Sequence, residues 1–142
     1  MMNVPLFFAS SITVTSLVCF SIGSQGMYVN RTFHNIPLTL LDVNVLKENV
    51  NPETPSVFIY YFDKINVEKD IKNYLSSNLK NHVDSYQIKV KFYKYENNAF
   101  ETCLEDEKSN ALKVRFKCVY YQNFKVDSSL SFYIEEGIKQ YD

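Results

Sequence analysis

The first thirty residues carry no Lys, Arg, Asp or Glu, while all 15 Lys and Arg and all 16 Asp and Glu lie between Arg31 and Asp142. Within that charge-free stretch, the run from Val4 to Gly23 (VPLFFASSITVTSLVCFSIG) matches the roughly 20 apolar residues a helix needs to cross a bilayer. Its hydroxyls at Ser10, Ser11, Thr13, Thr15 and Ser16 can bond back to carbonyls of their own helix, which lowers the cost of placing them in lipid. Three readings fit the segment: an uncleaved anchor, a secretory signal cut near Gly23 or Gly26, and a buried helix of a soluble domain. The first is adopted. It predicts a single-pass protein of the cell membrane with its C-terminal domain outside the cytoplasm; insertion with the N-terminus outward would reverse that orientation.

The chain is then divided into a membrane anchor or signal segment (1–26), a stem or linker (27–55) and a small α+β domain (56–142). In the stem, Leu38, Leu41, Val45 and Leu46 recur near helical spacing and predict a short helix ending before Asn51-Pro52. Asn51-Pro52-Glu53-Thr54-Pro55 reads as a linker. A continuous apolar run, Val57 to Phe62, predicts a strand buried on both faces.

Asn66 offers an N-cap, and Val67, Ile71, Tyr74, Leu75, Leu79 and Val83 form one apolar stripe along a helix of about 17 residues. Two alternating strands follow. Tyr86, Ile88, Val90 and Phe92 oppose Gln87, Lys89, Lys91 and Tyr93; later, Leu112, Val114, Phe116, Cys118 and Tyr120 oppose Lys113, Arg115 and Lys117. Period-two alternation of this kind marks a sheet with one face buried and one wet. The connector Asn97 to Asn110 reads as a polar loop, and Leu130 to Ile134 as a last strand. The predicted order is β-α-β-β-β, with one amphipathic helix on an antiparallel-rich sheet.

A formal charge of −1 and a pI near 6.1 give no overall attraction to nucleic acid. The two histidines, His34 and His82, have no partner arrangement for metal binding or nucleophilic catalysis, and no glycine-rich phosphate loop is present. The reading is therefore non-enzymatic, with no cofactor, no metal and no evident small-molecule substrate. Glu105, Asp106 and Glu107 read as solvated loop charge. Cys103 and Cys118 form either a disulfide, if the domain lies outside the cytosol, or two free thiols.

If the two alternating strands pair, Lys89, Lys91, Lys113, Arg115 and Lys117 crowd one surface, and like charges directly opposite one another are destabilising. Such a face needs an acidic neighbour, for which Glu135 and Glu136 are candidates, or an anionic partner: a polymer, lipid head groups or an acidic protein. Tyr93 and Tyr95 beside it invite base stacking. The glycine-containing RNA-recognition pattern is missing from Ile88 to Tyr93, however, so nucleic acid is not the expected partner.

Several stretches together resemble the short TadE-like pseudopilin domains of Gram-positive bacteria. They are Val57–Asp63, Asn73–Leu79, Tyr86–Tyr95, the Cys103 and Cys118 positions, and Phe132–Gly137. The processing glycine and glutamate of prepilins have no counterpart in the apolar helix, where Gly23 and Gly26 lie at the far end and no Glu precedes Glu48. The resemblance implies a membrane-held envelope component with protein partners in an assembly. Ala9, Ser10, Ser16 and Gly23 are then the small residues that would let neighbouring helices approach.

Overall fold

The computed structural model describes residues 4–141, with side chains from Phe8 onward; the first three residues of the predicted anchor lie outside it. An N-terminal apolar helix is followed by an antiparallel sheet domain, so the chain is α+β. Helix α1 (Val4–His34) runs without a break for 31 residues, about 46 Å at 1.5 Å per residue. Its first half projects from the domain: Ile12, Leu17, Val18 and Phe20 are all exposed. There Thr13 and Thr15 donate their hydroxyls to the carbonyls of Ala9 and Ser11, both at 2.9 Å, so each hydroxyl is satisfied within its own helix. By length and composition α1 can cross a membrane.

The other end of α1 is core. Val29 and Phe33 are completely buried, and the Phe33 ring stacks on Phe116 with centroids 5.7 Å apart. Chain continuity thus passes from an exposed apolar rod into the centre of the domain with no linker between. Helix α2 (Leu38–Asp42) adds Leu41 to the same core. Helix α3 (Lys64–Leu79) buries Val67, Ile71, Leu75 and Leu79 of the predicted stripe, while Tyr74 is only partly buried and Val83 lies beyond the end of the helix.

These helices cover one face of a five-stranded antiparallel sheet made by β3 (Ser85–Glu96), β4 (Ala99–Thr102), β5 (Ala111–Tyr120), β6 (Phe124–Ile134) and β7 (Ile138–Tyr141). The strand order is β4-β3-β5-β6-β7. The apolar faces of β5 and β6, with Leu112, Val114, Phe116, Leu130 and Phe132, close the core against α1 and α3. The Asn110 side chain extends the pairing of β3 and β5: its oxygen accepts from Tyr95 N–H at 2.7 Å and its amide donates to Tyr95 C=O at 2.9 Å.

Several expectations need correction. The stem is not helical throughout: Val45–Asn49 is strand β1, paired antiparallel with β2 (Phe58–Phe62) in a separate two-stranded sheet. Asn51 to Pro55 is accordingly the loop of this hairpin, and a 27–55 stem is not a separate unit, since Val29, Phe33, Ile36 and Leu41 are core residues. Strand β2 is not buried on both faces; Phe58, Ile59 and Tyr60 are exposed and only Phe62 enters the core. The cap of α3 is Asp63, whose carboxylate accepts from the Asn66 backbone N–H (3.2 Å) and side-chain amide (2.7 Å). Asn66 is the donor in that motif, three residues inside the helix. Finally, the sheet contains β4 and β7 at its edges, which no pattern had marked.

Buried polar groups are satisfied locally. Asn44 donates to Leu40 C=O (2.9 Å) and to the Asp70 carboxylate (2.8 Å), while its own carbonyl accepts from Asp63 N–H at 2.8 Å. This single residue joins α2, the start of β1 and α3.

A basic and aromatic sheet face as candidate functional site

The side of the sheet away from the helices is built by the odd-numbered residues of β3 and β5. Their register sets Lys89 directly opposite Arg115 and Lys91 directly opposite Lys113, with Lys117 opposite Gln87. All five cations singled out in the sequence therefore share one surface. On the other flank of β5 the partners are small or acidic: Ser131 faces Lys113, Ser129 faces Arg115 and Asp127 faces Lys117. Short side chains beside long ones leave an open hollow of about 550 Å³, lined chiefly by Lys89, Lys91, Lys113, Arg115, Asp127 and Ser129.

Asp127, and neither of the candidates Glu135 and Glu136, supplies acidic relief, and it reaches only Arg115 and Lys117. Its carboxylate takes two hydrogen bonds from Arg115, at 2.9 and 2.8 Å, and lies 3.8 Å from Lys117 Nζ. The hydrogen bond from Arg115 holds the Asp127 carboxyl below its ordinary range, and Asp127 in turn raises the guanidinium. Glu135 instead pairs with Lys139 at 3.3 Å, beyond the β6–β7 turn. Among the described residues no carboxylate forms an ion pair with Lys89, Lys91 or Lys113.

Beside the hollow the same face turns aromatic. Tyr93 and Tyr95 of β3, Phe100 of β4, Tyr133 of β6 and Tyr141 of β7 gather there. Tyr95 lies 4.1 Å from Tyr133 and 5.0 Å from Phe100, centroid to centroid, and Phe100 lies 5.2 Å from Tyr141. Ala111, flanked in register by Tyr93 and Tyr133, is fully buried on this outer side. Partial burial of the Tyr95 ring, reinforced by Tyr133, pushes its hydroxyl above the ordinary tyrosine range. Sequence reading found Tyr93 and Tyr95 but missed Phe100, Tyr133 and Tyr141 as their companions, because these arrive from three other strands.

The remaining sequence candidates lie elsewhere. Cys103, Cys118 and Cys19 are free thiols. Cys103 Sγ contacts the carbonyls of Glu107 (3.5 Å) and Lys108 (3.8 Å) ahead of β5, whereas Cys118 is buried near the far end of that strand. A strand advances about 3.3 Å per residue, so most of β5 separates two sulfurs that a disulfide would hold about 2 Å apart. Burial pushes the Cys118 thiol up. Glu107 is not loose loop charge: it accepts from Leu104 N–H at 3.0 Å and pairs with Lys94 at 2.9 Å, and the Leu104 bond is the chief cause of its lowered pKa. His82 lies past the end of α3, its ring 4.4 Å from that of Tyr28, so it braces α1 against the domain.

Comparison with protein-family models, with curated proteins and with solved structures finds no match to this chain.

Proposed function

We propose that this chain is a non-catalytic, single-pass envelope component whose outer sheet face receives an anionic polymer, with α1 as the anchor and the domain outside the cytoplasm. The observation that carries this reading is the direct cross-strand opposition of Lys89 with Arg115 and of Lys91 with Lys113. Opposed like charges cost stability, and an arrangement that is unfavourable for folding is favourable for holding a multivalent anion. The adjoining aromatic patch adds flat apolar surface on which sugar or other rings can pack.

The test is polyphosphate binding to full-length protein in neutral phosphatidylcholine nanodiscs. Lys91→Glu with Arg115→Glu should weaken binding by about tenfold or more, since each reversal replaces attraction with repulsion. Lys69→Glu with Lys72→Glu on α3, the same change in net charge, should have little effect. Equal losses in both pairs would mean that the face has no special role.

A second reading, the pseudopilin-like assembly subunit, rests on a different observation. α1 is continuous from its projecting apolar half to the buried Phe33, so forces on the helix pass directly to the sheet. Gly23 has no atom near its open face, which leaves room for a neighbouring helix. Gly23→Leu should then reduce cross-linking between copies in membranes; unchanged cross-linking would count against assembly through this helix.

A further inference from the structure

The place where α1 leaves the domain carries a second apolar feature. Strands β5 and β6 are joined there by a tight turn, Tyr121-Gln122-Asn123, in which Tyr121 and Gln122 adopt φ of 47° and 65°. That left-handed region suits Gly or Asn; a bulky aromatic there is unusual. Tyr121 is also 51% exposed, and Phe124, which opens β6, is 40% exposed. An exposed tyrosine in a backbone conformation that disfavours it is not explained by folding. The turn is fixed in place, since Gln122 N–H donates to the Asp84 carboxylate at 2.7 Å and the Tyr120 ring stacks on Phe124 with centroids 5.6 Å apart.

The position of the turn says what these rings meet. Tyr121 and Phe124 line a cleft of about 460 Å³ whose other wall is Leu17, Val18, Ser21 and Ile22 of α1. Those residues are the last turns of the apolar span, just before the helix packs onto the sheet at Gly26, where an added Cβ would lie 2.5 Å from the Tyr120 hydroxyl. A span of about 20 residues ending at Gly23 therefore puts the aromatic turn level with the boundary between hydrocarbon and head groups. Amphipathic rings concentrate at that depth.

We infer that the β5–β6 turn is a second membrane contact, with Tyr121 and Phe124 seated in the interfacial layer of the bilayer that α1 crosses. The inference rests on α1 being a membrane anchor and goes beyond it: two points of contact fix the tilt of the sheet over the lipid surface, which one helix alone does not. The outer sheet face is thereby held at a set angle to the membrane.

The chain has no tryptophan, so single Trp substitutions report depth cleanly. Full-length Tyr121→Trp, Phe124→Trp and Tyr141→Trp are reconstituted into phosphatidylcholine vesicles with and without a lipid spin label near the head group. Tyr141 is comparably exposed at 49% but pairs near the opposite end of β6. Protein that floats with the vesicles should lose about half or more of its emission at 121 and 124 and almost none at 141, as expected for rings at interfacial depth. Flotation without quenching at either turn position overturns this contact while leaving the anchor standing. Failure to float overturns the anchor and this contact together.

Discussion

Arg115 holds Asp127 through two parallel hydrogen bonds, Nε to Oδ1 at 2.9 Å and Nη2 to Oδ2 at 2.8 Å, across β5 and β6. This bidentate pair is the only acidic restraint on the basic hollow among the described residues, because Lys89, Lys91 and Lys113 have no carboxylate partner there. It divides the face into a neutralised corner and an uncompensated strip, and the strip is where the proposed anionic partner would dock.

Asp127→Asn removes the negative charge and releases Arg115, so polyphosphate affinity should rise roughly two- to fivefold at low salt. The same substitution tests the pH dependence. The folded Asp127 carboxyl is held below its ordinary value, so its contribution to stability is present above the unfolded carboxylate pKa and is lost as pH falls through the lower, folded one. Wild type should therefore melt slightly above Asp127→Asn near neutral pH, and the gap should close in strong acid. The effect is small because the pair is about half exposed. Thermal denaturation at both pH values measures it.

Phe33 ties the apolar helix α1 to the sheet by stacking on Phe116, and it is fully buried. Phe33→Ala should cost about 3–5 kcal/mol of domain stability, the range for deleting a buried aromatic ring. Phe20→Ala, on the projecting half of the same helix, should leave the unfolding free energy of the domain unchanged. Denaturant unfolding of both variants in detergent distinguishes a helix that belongs to the core from one that is merely attached to it.

The thiols should differ sharply in reactivity. Under native conditions Cys103, half-buried in the loop after β4, should alkylate readily, while Cys118, buried and with its thiol pushed up, should react only after denaturation. Mass spectrometry of iodoacetamide-treated protein reads both sites. A disulfide-linked peptide joining them would contradict the placement of these residues at opposite ends of β5.

Asp63→Ala removes the cap from α3 and the partner of Asn66, and should destabilise the domain by about 1 kcal/mol. Asn66→Ala should cost less, because it leaves the backbone cap bond in place. The reverse order in chemical denaturation would restore Asn66 as the dominant capping residue.

Residue patterns revealed the elements whose periodicity arises from one-sided burial. Val67, Ile71, Leu75 and Leu79 marked α3, and the alternation along β3 and β5 marked both strands and hence the basic face. Edge strands left no such trace. β4 carries Ala99 to Thr102 with three of its four residues exposed, so it looked like loop; its one local signal was Asn97-Asn98, two residues with positive φ in a tight hairpin turn. Strand β1 was mistaken for helix because Val45 continues the helical spacing of Leu38 and Leu41, i, i+3 and i+7, past the end of α2 at Asp42, and only pairing with β2 shows that the helix has stopped. The aromatic patch was hidden for another reason. Its five rings come from four strands, and no spacing in one sequence shows that Tyr95, Phe100, Tyr133 and Tyr141 meet.

Salt dependence tests the charge-opposed face most directly. Polyphosphate binding to the full-length protein in neutral nanodiscs is measured from low to physiological salt, for wild type and for Lys91→Gln with Lys113→Gln. Counterion release gives a log–log slope of roughly 0.7–0.9 per phosphate neutralised, so losing two contacts should flatten the slope by about 1.5. An identical slope in the two proteins would mean that the opposed lysines do not touch the anion, and the binding role assigned to this face would be wrong.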